Sequence, residues 1–244
     1  LKKGLSSIDN ALSCLVANKR LSDGQKTDIL SAITGAVDID QLQACDLVIE
    51  AVTEDLNLKR EIFRKLDTIC PAHTILATNT SVLPVIEMAQ STSRPEKIIG
   101  THFLTPPPVI PLLEIIRTLK TSPETLETVK TFASRIGKTV VVSADRSGFI
   151  VNRILTSILF SAVRLLEEGV ATKEDIDTAV SLGLGMPMGP FQLLDLIGMD
   201  TIINGSKFLF ENLNETQYFC PITIRNMVAS GFLGRKTGKG FYDY

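Results

Sequence analysis

A chain of 244 residues with 44% hydrophobic and 21% charged side chains has the composition of a globular protein, long enough for one large domain or two ordinary ones. Its 25 basic and 27 acidic residues leave a formal charge of -2, which excludes an overall field drawing the chain to nucleic acid or an anionic membrane surface. Any anionic ligand is therefore expected to be held by local lysines.

No apolar run approaches the roughly 20 residues of a membrane helix, and the opening LKKGLSSIDNAL lacks the apolar centre of a signal peptide. The expected location is the cytoplasm, with the mitochondrial matrix as the alternative. Cysteines 14, 45, 70 and 220 show neither Cys-x-x-Cys pairing nor metal-ligand spacing. They read as reduced, buried packing residues, and no metal is expected.

In chain order, Leu5, Ile8, Leu12 and Leu15 recur at three- and four-residue spacing and predict an amphipathic helix over 1–18, with Lys2 and Lys3 on its opening turn. A second short helix follows Asp23. Apolar runs then begin at Asp46, His73 and Lys97, with helical stretches near 56–68 and 83–90 between them. That alternation predicts a parallel sheet in a doubly wound α/β layer. Further strands are predicted at 110–117 and 138–143, flanking a helix at 123–136. Beyond Asp145 strand signals stop, and helices are predicted at 149–168, 173–182, 190–198, 200–213 and near 221–230. The expected architecture is a Rossmann-like, mostly parallel sheet domain over 1–145 followed by an all-α domain over 146–244.

His102 ends one of the apolar runs, and Pro106-Pro107-Pro108 forces the chain out of the sheet before the next. If that next run doubles back, Glu114 reaches His102. A carboxylate beside an imidazole fixes its tautomer and balances the imidazolium, as a histidine that takes a proton from a hydroxyl requires. Glu114 lies among Leu112, Leu113, Ile115 and Ile116, and a charge in so apolar a stretch needs a partner. Ser81, in Ala77-Thr-Asn-Thr-Ser81, follows a presumed parallel strand at the end where open α/β sheets bind ligands. It serves equally well as a helix cap. Asn152 and Arg153 interrupt the apolar face of a long helix at the domain junction and require partners, of which a substrate is one.

The stretches AVTEDLNLK (51–59), ATNTSVLP (77–84), HFLTPPPVIPLLE (102–114), SGFIVNR (147–153), GMPMGPFQLLDLIGMD (185–200) and GRKTGKGFYDY (234–244) resemble the L-3-hydroxyacyl-CoA (3-hydroxybutyryl-CoA) dehydrogenases over almost the whole chain. The resemblance implies hydride transfer between NAD and the C3 hydroxyl of an L-3-hydroxyacyl-CoA, as in fatty acid β-oxidation or butanoate metabolism. It implies His102 as base, Glu114 as its partner, and Ser81 and Asn152 as hydrogen-bond partners of the reacting oxygen and thioester region. Glu54, Lys59 and Asn79 match positions on the nicotinamide and ribose side of the cofactor, and Lys236 matches a lysine contributed to that site. Lys59, Lys2 and Lys3 are candidates for the CoA phosphates, although a solvated helix face explains Lys2 and Lys3 equally well.

Two departures stand out. Thr105 replaces the asparagine of the family's His-Phe-Phe-Asn-Pro, keeping one donor and one acceptor but losing reach at a cofactor or substrate contact. The family's first βαβ unit, with its Gly-x-Gly-x-x-Gly loop, is expected to be lacking, and with it the pyrophosphate cradle. A homodimer through the helical domain is expected from its many apolar positions. Short acyl chains are the default expectation. The alternatives are a dehydrogenase of a free hydroxyacid and a non-enzymatic, crystallin-like relative.

Overall fold

The computed structural model describes residues 1–244. The sheet is built from β1 (Leu47–Glu50), β2 (Ile75–Thr78), β3 (Ile98–Phe103), β4 (Leu112–Arg117) and β5 (Thr139–Ala144), which lie side by side in chain order. β1, β2 and β3 run parallel, β4 runs antiparallel to β3, and β5 is parallel to β4. The single reversal falls after the proline run, where the next strand does double back. It sets His102 directly opposite Glu114 in the β3–β4 ladder.

Alternation along the strands sorts the core into two layers. Leu76, Ile98 and Ile116 point to one face and pack with Phe63 and Leu66 of α3 (Leu56–Ile69) and Met88 of α4 (Val85–Ala89). Ile75, Ala77, Ile99 and Ile115 point to the other and pack with Val129 and Ala133 of α5 (Pro123–Arg135). Helices on both faces of a mostly parallel sheet make this the expected Rossmann-like layer. Helix starts follow local chemistry: Asp55 accepts from Leu58 N–H at the head of α3, and Ser122 caps α5 ahead of Pro123.

No strand follows β5. The helical part comprises α6 (Val151–Glu167), α7 (Lys173–Leu184), α8 (Pro190–Ile197), α9 (Met199–Leu213) and α10 (Ile222–Ala229). Its core joins Phe160 and Val163 of α6, Phe191 and Leu194 of α8, Met199 of α9 and Ile224 of α10. Two buried aspartates tie this core together. Asp195 accepts from the N–H groups of Phe241 and Tyr242, and Asp177 from those of Phe191 and Gln192. α6 starts two residues later than its apolar pattern suggests, because Gly148 and Phe149 hold left-handed backbone, φ 73° and 47°.

The helices α1 (Lys2–Ala17) and α2 (Asp23–Ser31) bury no residue, and Lys26 joins them through Asp9 at 2.8 Å. Cys14 is accordingly exposed, against the expectation that all four cysteines are packing residues; Cys70 is buried, Cys45 and Cys220 partly so. Burial pushes the Cys220 thiol up to about 11. No helix is long and apolar enough to cross a membrane.

Candidate active site

The carboxyl ends of β1 and β2, the end of β3 and the faces of α6, α8 and α9 surround a cleft of about 1200 Å³. Small α/β enzymes bind ligands at this end of their parallel strands. His102 reaches the cleft from the sheet side. It is 4% exposed, its Nδ1 lies 2.8 Å from Glu114 Oε2, and its ring leans on Phe149 with centroids 5.6 Å apart. Nε2 makes no hydrogen bond within the chain, so one ring nitrogen is committed and the other is left for a ligand.

Glu114 is fully buried, and both its oxygens are used. Oε2 holds the imidazole, while Oε1 accepts from the N–H groups of Ile150 and Val151 at 3.0 and 3.1 Å. Those N–H groups begin α6, where the helix end favours negative charge. Burial alone would raise the carboxyl. The hydrogen bond from His102 and those from Val151 and Ile150 outweigh it and hold Glu114 below the usual carboxylate range. One carboxylate therefore orients the histidine and anchors the first turn of the helix that carries Asn152.

Ser81 and Asn152 meet across the junction, Asn152 Nδ2 donating to the Ser81 carbonyl at 3.3 Å. Both line the cleft, and neither the Ser81 hydroxyl nor the Asn152 carbonyl oxygen is bonded within the chain. The Ser81 loop is pinned from both ends. Glu54 Oε1 accepts from the Ser81 and Val82 N–H groups at 2.9 and 3.3 Å and from the Thr80 hydroxyl. Beyond the loop, Asp145 accepts from Val85 and Ile86 N–H at 2.9 and 2.7 Å, and burial raises its carboxyl despite those bonds. Asn79 accepts from Phe103 N–H at 2.9 Å, tying the loop to the strand of His102. Asn79, Glu54 and Thr105 all line the cleft.

The lysines stand elsewhere. Lys59 is 1% exposed, bound to Glu50 Oε1 at 2.7 Å and Glu54 Oε2 at 3.2 Å, with the Val52 carbonyl as third acceptor. Its three donors are spent inside the protein, so it cannot meet a phosphate as the sequence suggests. Lys2 and Lys3 lie on the exposed opening turn of α1 and do not line the cleft. Lys236 pairs with Asp200, which it holds below the usual carboxylate range, and packs over Gly198 rather than entering the cleft. Arg153 turns away to Tyr218 and Glu215.

Glu50, Thr80 and Asp145 escape the sequence reading. Glu50 carried a signal, as a carboxylate closing an apolar run. Asp145 carried none, because its partners are the N–H groups of residues sixty positions earlier.

A two-sided Rossmann-like sheet facing a helical layer, with a buried histidine–carboxylate pair opening into the cleft between, belongs to the class of two-domain nicotinamide-dependent dehydrogenases. The comparisons narrow the class. Residues 1–146 match the model of the 3-hydroxyacyl-CoA dehydrogenase NAD binding domain and residues 148–244 that of the 3-hydroxyacyl-CoA dehydrogenase C-terminal domain. The chain is 41% identical over 244 residues to a 3-hydroxybutyryl-CoA dehydrogenase of Clostridioides difficile, covering all of this chain and 87% of that one. It is 42% identical to the mitochondrial hydroxyacyl-coenzyme A dehydrogenase of Mus musculus, covering all of this chain and 72% of that one. The crystal structure of (S)-3-hydroxybutyryl-CoA dehydrogenase from Ralstonia eutropha superimposes with a TM-score of 0.95 at 38% identity, over all of this chain and 86% of that one. The chain belongs to the 3-hydroxyacyl-CoA dehydrogenase family, an NAD-dependent enzyme family. The NAD-binding match extends from residue 1, so it lends no support to the expected loss of a βαβ unit, although no Gly-x-Gly-x-x-Gly occurs in the sequence.

Proposed function

We propose that His102 is the general base of an L-3-hydroxyacyl-CoA dehydrogenase, removing the C3 hydroxyl proton as the substrate is oxidised. The observation that carries this is the divided imidazole: Nδ1 locked 2.8 Å from a fully buried carboxylate, Nε2 free in the cleft. NAD, when bound, supplies the hydride acceptor. The open ends of β1 and β2, with Glu54, Asn79 and Thr105 beside His102, suit the nicotinamide end of that cofactor. The cleft contains no lysine or arginine, so a pyrophosphate bound along it would rely on backbone N–H groups rather than on cations.

As the hydroxyl proton moves to Nε2, the ring becomes an imidazolium, and Glu114 balances its charge through Nδ1. The unbonded Ser81 hydroxyl and Asn152 amide are the groups we assign to the substrate oxygens. In the reverse direction the imidazolium returns the proton to the alkoxide. Glu54 acts by shaping the Ser81 loop, and Lys59 acts through Glu54.

The domain boundary we propose falls near residue 145, between β5 and α6. We further propose a homodimer through the helical part, supported by exposed Ile154, Leu182 and Leu184, at 58%, 82% and 69% exposure. Among the many apolar side chains of the helical part, Leu159, Phe160, Phe191, Leu194 and Leu209 are buried within the chain itself. The dimer proposal therefore rests on the exposed side chains alone. Light scattering is expected to give twice the chain mass, and a mass of one chain at every concentration contradicts pairing. The working place we propose is the cytoplasm, with the mitochondrial matrix as the alternative.

Acetoacetyl-CoA added with NADH to the purified protein is expected to consume NADH rapidly. Consumption only with free ketoacids, or none at all, would overturn the assignment.

A further inference from the structure

Gly205 is the one glycine lining the cleft, and it sits in the middle of α9. Glycine is a poor helix former, so an interior helical glycine calls for a local reason. Close packing is one, and it accounts for glycines outside the helices at Gly189 and Gly240, where an added Cβ would come within 2.3 Å of Asp177 and 1.9 Å of Asp195. At Gly205 an added Cβ would meet nothing within 4 Å. Left-handed backbone is a second reason, and Gly205 is not among the positive-φ residues. Gly4 and Gly183, also inside helices, likewise meet nothing within 4 Å but lie off the cleft, so what singles out Gly205 is that its open space faces the cleft.

That space has a definite place. α9 turns Thr201, Asn204, Gly205 and Phe208 to the cleft, an i, i+3, i+4, i+7 stripe along one helix face. Gly205 is the gap in this stripe, one turn from Thr201 and just under one from Phe208. Around it the helical wall is formed by Leu155, Leu193, Ile197 and Leu209, and the ionisable groups of the whole cleft are Glu54 and His102. A 3-hydroxyacyl-CoA extends two arms from the carbon that faces His102. One is an alkyl tail and the other ends in phosphates. A wall without charged groups and rich in Leu, Ile and Phe, broken only by Thr201 and Asn204, suits the tail better than the phosphates.

We infer that Gly205 sets the acyl-chain length, its gap receiving the tail of 3-hydroxyacyl-CoA substrates longer than butyryl. The inference rests on reading the cleft as the 3-hydroxyacyl-CoA site, and it replaces the expectation of short chains only. A side chain at 205 would close the gap and leave room for the shortest acyl groups.

The test compares kcat/KM for acetoacetyl-CoA and 3-oxooctanoyl-CoA, each with NADH, in wild type, Gly205→Ala and Gly205→Leu. Wild type is expected to use 3-oxooctanoyl-CoA at least as well as acetoacetyl-CoA. Gly205→Leu is expected to lower the long-to-short ratio by roughly 10-fold or more, since one methylene in a hydrophobic pocket commonly discriminates by that factor. Gly205→Ala, a better helix former that secures the fold, is expected to shift the ratio the same way by less. An unchanged ratio in both variants, or a wild type that reduces acetoacetyl-CoA and rejects 3-oxooctanoyl-CoA, overturns the role of Gly205 and leaves the cleft assignment standing. A wild type inert toward both thioesters overturns the cleft assignment and this inference together.

Discussion

Two buried carboxylate pairs, one at the end of β1 and one across β3 and β4, differ in one respect. Lys59–Glu50, at 2.7 Å, and His102–Glu114, at 2.8 Å, are each almost wholly removed from water. Every donor of Lys59 meets a protein acceptor: Glu50, Glu54 and the Val52 carbonyl. His102 uses one nitrogen on Glu114 and turns the other into the cleft. Burial and pairing are thus common to both. What distinguishes the candidate catalytic pair is a functional group left over. The first pair holds the frame of the Ser81 loop, and the second presents a proton acceptor.

The sharpest way to separate them is to remove Lys59. Lys59→Met leaves Glu50 buried with only the Val52 N–H and the Thr78 hydroxyl as donors. A stability loss of about 3–5 kcal/mol is expected in urea unfolding, the usual cost of an orphaned buried charge. A loss under about 1 kcal/mol would show that water or movement relieves Glu50, and the two pairs would then not differ as described.

Glu114→Gln is expected to act on the rate. The amide still reaches Nδ1 but cannot balance an imidazolium, so kcat should fall on the order of 10-fold or more while the fold persists. A variant as active as wild type between about pH 6 and 8 would break the pairing. The same substitution carries a smaller effect on acid stability. The folded carboxyl of Glu114 lies below its ordinary value of 4.5, so its contribution is complete above about 4.5 and is lost as pH falls through the folded value. Melting temperature should therefore decline more steeply below pH 4.5 in wild type than in Glu114→Gln. Parallel declines would contradict that assignment.

Much of this arrangement is legible in the sequence, for identifiable reasons. The five strands and ten helices announce themselves through apolar period and turn residues, and the proline run after His102 marks where the chain leaves the sheet, although only the fold shows that it returns antiparallel and brings Glu114 opposite. Side-chain commitments are less legible. Lys59 looks like a free cation because its acceptors lie at the end of β1 and in the loop beyond, and only the fold aims it at both. Lys236 is paired with Asp200, thirty-six residues away, a partner that the sequence does not reveal. Phe149 is a one-residue case: its left-handed backbone delays α6 and sets a ring against His102, and no propensity rule foresees it.

The central claim is that His102 carries the proton, and His102→Gln tests it most directly. Glu114 keeps the Ile150 and Val151 N–H groups in that variant, so the fold should survive and a rate change can be read as chemistry. Steady-state reduction of acetoacetyl-CoA by NADH is expected to show kcat lowered roughly 100-fold or more with KM changed little. Turnover near that of wild type would contradict the account.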